Sequence, residues 1–300
     1  MIWVLLAVIS ASLLGVYDLL KKYSLNENAV IPVLFYSTLT SGIAFFPMML
    51  YGTYGHPGQS SLFNFGHLPW HAHLLFFIKS VVVCSSWTLA YFAMKHLPIT
   101  IVSPIRSSGP LWTIIGALLI FGESMNGVQW LGLAITIAFY YLFSLSGMKE
   151  GISFRTNKWV LFMTLATIIG SISALYDKYL IAHYNRLAMQ CWYHIYMVPL
   201  TLSLMLIAWV PLRKKFTPFK WRYTIPLIGL CLSLGDFIYF WSLSYPDALV
   251  AIVSTVRRGS VVVSFSLGAL LFREKNVKLK ALILIGILIG ITIIILGGKH

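Results

Sequence analysis

Seven ionisable side chains stand in stretches of this chain that are otherwise too apolar to hold charge: Asp18, Lys79, Arg106, Asp177, Asp236, Arg257 and Arg258. Arg257 and Arg258 are the sharpest case, adjacent within ALVAIVSTVRRGSVVVSFSLGALLF. An arginine at the centre of a membrane-spanning helix costs about 2.5–3.5 kcal/mol, while each Leu, Ile, Val or Phe returns about 0.3–0.6 kcal/mol. The apolar neighbours of the doublet only roughly offset it, so that helix needs partners or water. Charges kept at such depth pair with one another, bind a charged solute in a wet cavity, or, for a carboxylate, carry a proton. Adjacent arginines project about 100° apart on a helix, so one acid does not easily neutralise both.

Four of the seven are basic and three acidic, and this small excess leans toward an anionic or zwitterionic solute. Arg106, Arg257, Arg258, Lys79 and Asp236 are therefore the candidate substrate-binding charges. Trp87 and Tyr239, with Tyr91 and Trp241, are candidate aromatic walls. Asp18 and Asp177 are candidate carriers of a coupling ion, because a buried carboxylate near an arginine titrates with its pairing state. In the competing reading, Asp18 and Arg106 pair only to make the fold single-valued.

The elements that hold these residues must be membrane helices. The chain has 300 residues, is 59% hydrophobic and 10% charged, and has a mean hydropathy of +0.84, outside the range of soluble domains. A hydrocarbon core about 30 Å thick needs roughly 20 apolar residues per span. Ten such stretches are expected, near 2–20, 29–51, 72–94, 99–121, 127–146, 159–181, 188–210, 223–245, 248–272 and 278–297. The longest polar connection, 52–71, holds no separate domain, so function must reside in an all-α integral membrane bundle. The opening MIWVLLAVISASLLGVYD has no basic leader or small-residue cleavage site and reads as a retained helix.

Cys84, Cys191 and Cys231 all fall in expected spans and read as packing residues. His56, His67, His71 and His73 gather around the longest loop without a ligand spacing, so no metal and no cofactor are expected. Walker A, hydrolase-elbow and zinc-helix motifs are absent from the sequence, which argues against an ATP-driven pump or an enzyme.

Of the 22 basic residues, fifteen lie in or beside the connections after spans 1, 3, 5, 7 and 9, Lys21, Lys22 and Lys280 among them. Arg186 and Lys299 lie on the opposite face. Since Lys and Arg are retained in cytoplasmic loops, both termini are expected outside. The net charge of +14 is then a topology signal and an attraction to anionic lipid, not a nucleic-acid footprint.

The two halves echo each other. Tyr17-Asp18 matches Tyr176-Asp177, Ser103-Pro-Ile-Arg106 matches Ser254-Thr-Val-Arg257, and Phe121-Gly-Glu123 matches Phe272-Arg-Glu274. With five spans per unit, the second copy enters from the opposite side and the repeat is inverted, a plan common among secondary transporters. The units are residues 1–147 and 157–298, with 148–156 as a cytoplasmic linker. By pseudo-symmetry, an Asp–Arg pair is expected in each half: Asp18 with Arg106, and Asp177 with Arg257. Gly286-x-x-x-Gly290 marks a close-packing or dimer face.

The ten spans, the five-plus-five repeat and the Phe-x-Glu endings of spans 4 and 9 resemble the EamA-like branch of the drug/metabolite transporter superfamily. The resemblance implies that spans 1, 3, 4, 6, 8 and 9 surround a cavity, with 5 and 10 peripheral. It also implies cytoplasmic termini, against the basic-residue count, and the Arg257-Arg258 doublet is not part of the family pattern. The reading is a secondary transporter of a small polar metabolite, of a bacterial inner membrane, working by alternating access, with Asp18 or Asp177 as the carrier if it is proton-coupled. Its partners are the solute and the bilayer. The alternatives are a flippase for a lipid-linked substrate and, more remotely, an intramembrane enzyme.

With the three cysteines replaced, Lys214→Cys should resist a membrane-impermeant maleimide in intact cells, whereas Arg186→Cys should react. The reverse pattern would invert the orientation.

Overall fold

A computed structural model describes residues 2–55, 63, 65, 67–109, 111–112, 126–148, 152, 154–214, 217–243, 245, 257, 259–272 and 276–297. The described residues form ten α-helices and no strand: α1 (Ile2–Leu25), α2 (Val30–Tyr54), α3 (Trp70–His96), α4 (Ile99–Ser107), α5 (Gly127–Met148), α6 (Lys158–His183), α7 (Arg186–Leu204), α8 (Thr224–Leu243), α9 (Ser260–Phe272) and α10 (Val277–Gly297). Five helical stretches are long and apolar enough to cross a membrane: α1, α2, α3, α6 as far as Asp177, and α7 with the π-helical turn Met205–Trp209 that continues it. Gly127–Phe139, Thr224–Tyr239 and Ser260–Phe272 are shorter apolar stretches.

Local chemistry sets several helix ends. The Asn157 side chain accepts hydrogen bonds from the amides of Trp159 (2.9 Å) and Val160 (3.4 Å) at the start of α6. Asn185 does the same for Leu187 (2.9 Å) and Ala188 (3.2 Å) at the start of α7. Each supplies acceptors for amides that have no partner within the helix.

The main contacts map onto one another when α1–α5 are exchanged with α6–α10. Thus α1 packs on α8 as α6 packs on α3, and α2 on α8 as α7 on α3. Within the same scheme α2 packs on α7, α4 on α9, and α5 on α10. The crossings are close and use small residues, as expected where helices gain little from a hydrophobic drive. Ser10 donates to the Gly235 carbonyl across α1–α8 (2.6 Å), and Ser86 to that of Ala166 across α3–α6 (2.7 Å). Gly229 on α8 is closed in by the Ser37 carbonyl and the Ser41 amide of α2, so that a Cβ would lie 2.3 Å from that oxygen.

Two sequence expectations change here, and a third takes one of its two alternatives. The helix α1 runs to Leu25, past the expected end at 20, because the Lys21 stem finds a buried polar face instead of a loop. Lys21 is 3% exposed and Lys280, also assigned to a connection, is fully buried within α10. The Lys280 ammonium donates to the Thr100 hydroxyl of α4 (2.9 Å). Gly286 and Gly290 form a packing face within the chain, Gly286 against the Phe139 ring and Gly290 against Thr136 and Gly132 of α5. Most of the expected span 4 beyond 112 and of span 9 before 257 lies outside the described residues, as do Glu123, Glu274 and Arg258.

Gly229→Ala should cost about 1–3 kcal/mol, because the obstructing atoms are backbone and cannot rotate away. The thermal unfolding midpoint in detergent reads this out, and Gly127→Ala, whose Cβ would meet nothing within 4 Å, is the control.

Candidate functional site

The buried charges form two clusters. The first is built on α1, where Asp18 and Lys21 are one turn apart on one face. The Asp18 carboxylate lies 3.0 Å from the Lys21 ammonium and pairs through its other oxygen with Arg106 of α4. One carboxylate thus serves two cations, leaving a net positive charge. The Lys21 ammonium also sits 3.9 Å from the Tyr17 ring centroid and 5.4 Å from that of Tyr91. These aromatic faces hold a cation where water is scarce. The Tyr91 hydroxyl is 3.2 Å from the Ser37 hydroxyl, which fixes the ring.

This cluster forms part of the wall of a cavity of about 260 Å³ between α1, α3, α4 and α6. Arg106, Lys21, Tyr17 and Tyr91 meet it on one side, Trp87 and Ser86 come from α3, and Thr167 and Ser171 from α6. The lining mixes cations, hydroxyls and aromatic faces, which suits a small polar solute with a planar or apolar part. Arg106, with its side chain 37% exposed, is the charge most open to a solute.

The second cluster lies further along α3 and α6 from the first. Lys79 of α3 pairs with Asp177 of α6, and Arg257 pairs with Asp236 of α8. The Arg257 guanidinium lies 4.0 Å from the Tyr239 ring centroid, and the Lys79 ammonium 4.9 Å from that of Tyr193. Asp177 also interacts electrostatically with Asp236 and Arg257, so the four charges act as one neutral quartet. Ala174 of α6 is part of the cavity wall, one helical turn before Asp177. The cavity therefore lies between the two clusters.

The expected Asp18–Arg106 pair is present. The expected Asp177–Arg257 pair is not: Lys79, from a helix outside the repeat argument, takes Asp177, and Asp236 takes Arg257. Trp87 and Tyr91 meet the cavity, Tyr239 instead stacks on Arg257, and Trp241 is half exposed. Lys21, Tyr17 and Tyr193 were missed. The signal for Lys21 was its spacing of three from Asp18 and four from Tyr17, hidden by ending the span too early. Among the described residues no group of His, Cys, Asp and Glu could hold a metal ion.

Apolar helices of membrane length around a polar, charged cavity define a multi-pass membrane protein built to pass or hold a polar solute. The EamA-like transporter family model matches residues 1–145 and 157–296, and the chain belongs to that family. It is a membrane transporter of the drug/metabolite type. No curated protein matches the chain in sequence. A solved crystal structure at 14% identity matches with a TM-score of 0.62, covering 97% of this chain and 95% of that one, a likeness of fold alone.

The Lys79–Asp177 pair makes an asymmetric prediction. Asp177→Asn strands the Lys79 ammonium, whose side chain is 5% exposed, whereas Lys79→Met strands a carboxylate that is 32% exposed and can reach water. Asp177→Asn should be the more destabilising, by about 3–5 kcal/mol. The double variant should recover most of that loss, and thermal unfolding of all three proteins checks both statements.

Proposed function

We propose that the protein is a secondary transporter of a small anionic or zwitterionic metabolite, working by alternating access with the cavity beside Asp18 as its central site. The observation that carries this reading is the shared carboxylate: Asp18 answers to both Lys21 and Arg106 on the cavity wall, so a bound anion completes the charge balance. Arg106 is the primary substrate contact and Trp87 the aromatic wall. The volume suits a metabolite smaller than a typical drug.

In this reading the chain comprises two five-helix repeats, 1–147 and 157–298, joined by the linker 148–156, crossing the membrane ten times in inverted orientation. The two-fold pattern of helix contacts supports the two-repeat plan. Both termini are outside and the basic connections cytoplasmic. The quartet of Lys79, Asp177, Asp236 and Arg257, with Arg258 on the same segment, forms the outer part of the solute path. Of the two carboxylates proposed for coupling, Asp18 is the better placed. A proton on it releases Lys21 and Arg106 together, so proton and anion bind cooperatively and move in the same direction.

Purified protein is screened by thermal shift against organic acids, amino acids, nucleotides and amines, and the stabilising compound is then followed into proteoliposomes. Arg106→Gln should lower its transport tenfold or more, since a charge-assisted contact is worth about 1.5–3 kcal/mol. Asp18→Asn should abolish acceleration by an inward proton gradient while leaving counterflow exchange. A best hit that is a cation, or a gradient response that survives Asp18→Asn, would overturn the respective part of the reading.

A further inference from the structure

A second pocket, of about 220 Å³, opens at the basic end of the bundle, away from the solute cavity. Lys95 and His96 from the last turn of α3, Trp159 from the first turn of α6, Trp209 from the π-helical turn after α7, and Thr217 form much of its wall. We propose that this pocket binds the phosphate of an anionic phospholipid.

The pocket is rigid by construction. The Asn28 side chain, fully buried in the turn between α1 and α2, accepts from the Lys220 amide (2.8 Å) and donates to the Lys220 carbonyl (2.7 Å). The Lys95 ammonium donates to the Asn28 carbonyl (2.9 Å) and to the Thr217 hydroxyl (2.7 Å), which holds it at the pocket wall on neutral partners. The His96 ring lies flat on Trp159, centroids 3.7 Å apart and planes within 1°, and its Nδ1–H donates to the Phe92 carbonyl (2.9 Å). The Lys158 ammonium sits 4.7 Å from the Trp159 ring centroid. Lys22, Lys95 and Lys158 all lie within electrostatic reach of His96.

Among the described residues of this face, Glu27 alone is a carboxylate. Trp209 gives its ring to the pocket wall, and the donor that singles out the pocket is the Lys95 ammonium. Held on neutral partners, that ammonium keeps its charge, and a phosphate oxygen is an acceptor that answers it. Depth selects a lipid over a free ion. Tyr23, Trp221 and Tyr223 are exposed at the same end of the bundle, marking the level where aromatic side chains meet headgroups. Basic pockets between helices at that level are suited to anionic headgroups.

The test uses the full-length protein in mild detergent, with native mass spectrometry and thermal unfolding under titration of phosphatidylglycerol or phosphatidylcholine. Wild type should retain phosphatidylglycerol preferentially. Lys95→Gln, which removes the ammonium at the pocket wall, should weaken that retention about fivefold. Arg186→Gln, at the opposite end of α7, should leave it intact. Equal retention of the two lipids, or an equal loss in Arg186→Gln, would overturn the proposal. Equal protection by inorganic phosphate at matched ionic strength would also overturn it, in favour of a soluble ligand. Retention unchanged in Lys95→Gln would remove the pocket from any role.

Discussion

The structure depends on how a chain with 22 basic and 8 acidic residues keeps charge inside a membrane. Bilayer interior offers neither water nor counter-ions, so each buried cation must find a carboxylate, a carbonyl, a hydroxyl or an aromatic face. Three carboxylates are spent on this among the described helices. Asp177 and Asp236 each take one cation, and Asp18 takes two. The surplus at Asp18 is met by the rings of Tyr17 and Tyr91, which lie against Lys21, while Tyr193 and Tyr239 lie against the paired cations Lys79 and Arg257. Positive charge is thereby left where the cavity opens, on Arg106 and Lys21.

Backbone packing makes this arrangement reproducible. Helices that cross at Gly229, Gly286 and Gly290, or are tied by Ser10 and Ser86, have little freedom to rotate or slide. A rotation of one residue, about 100°, would carry Lys79 or Arg106 from the interior to lipid. The small-residue crossings and the ion pairs therefore enforce each other. At the basic end the same scarcity of acids is handled differently: Lys95 is held by a backbone carbonyl and a hydroxyl, which position its charge without cancelling it.

The two-fold contact pattern and the charge pattern do not coincide. Helices α1–α5 and α6–α10 are interchangeable as packing units, yet Lys79 and Asp236 have no like-charged counterparts across the repeat. The result is a net positive cluster on one side of the cavity and a neutral quartet on the other. A symmetric scaffold thus carries an asymmetric distribution of charge around the cavity.

Much of this was legible in the sequence, because hydropathy and length are properties of a linear string. A run of apolar residues either spans hydrocarbon or does not, so the membrane class and the all-helical architecture followed from composition and spacing. The set of charges needing partners was legible too, since insertion energy depends on residue type and depth. The pairings were only partly so. Asp18 with Arg106 could be anticipated from matching depth, but Asp177 with Lys79, Asp236 with Arg257, and the burial of Lys21 and Lys280 could not. Those depend on where each helix ends and how it is rotated about its axis, and both are set by the helices packed against it. The sequence determined which residues must be satisfied inside the membrane; the tertiary structure decided with whom, because helix rotation is a property of neighbours and not of the segment itself.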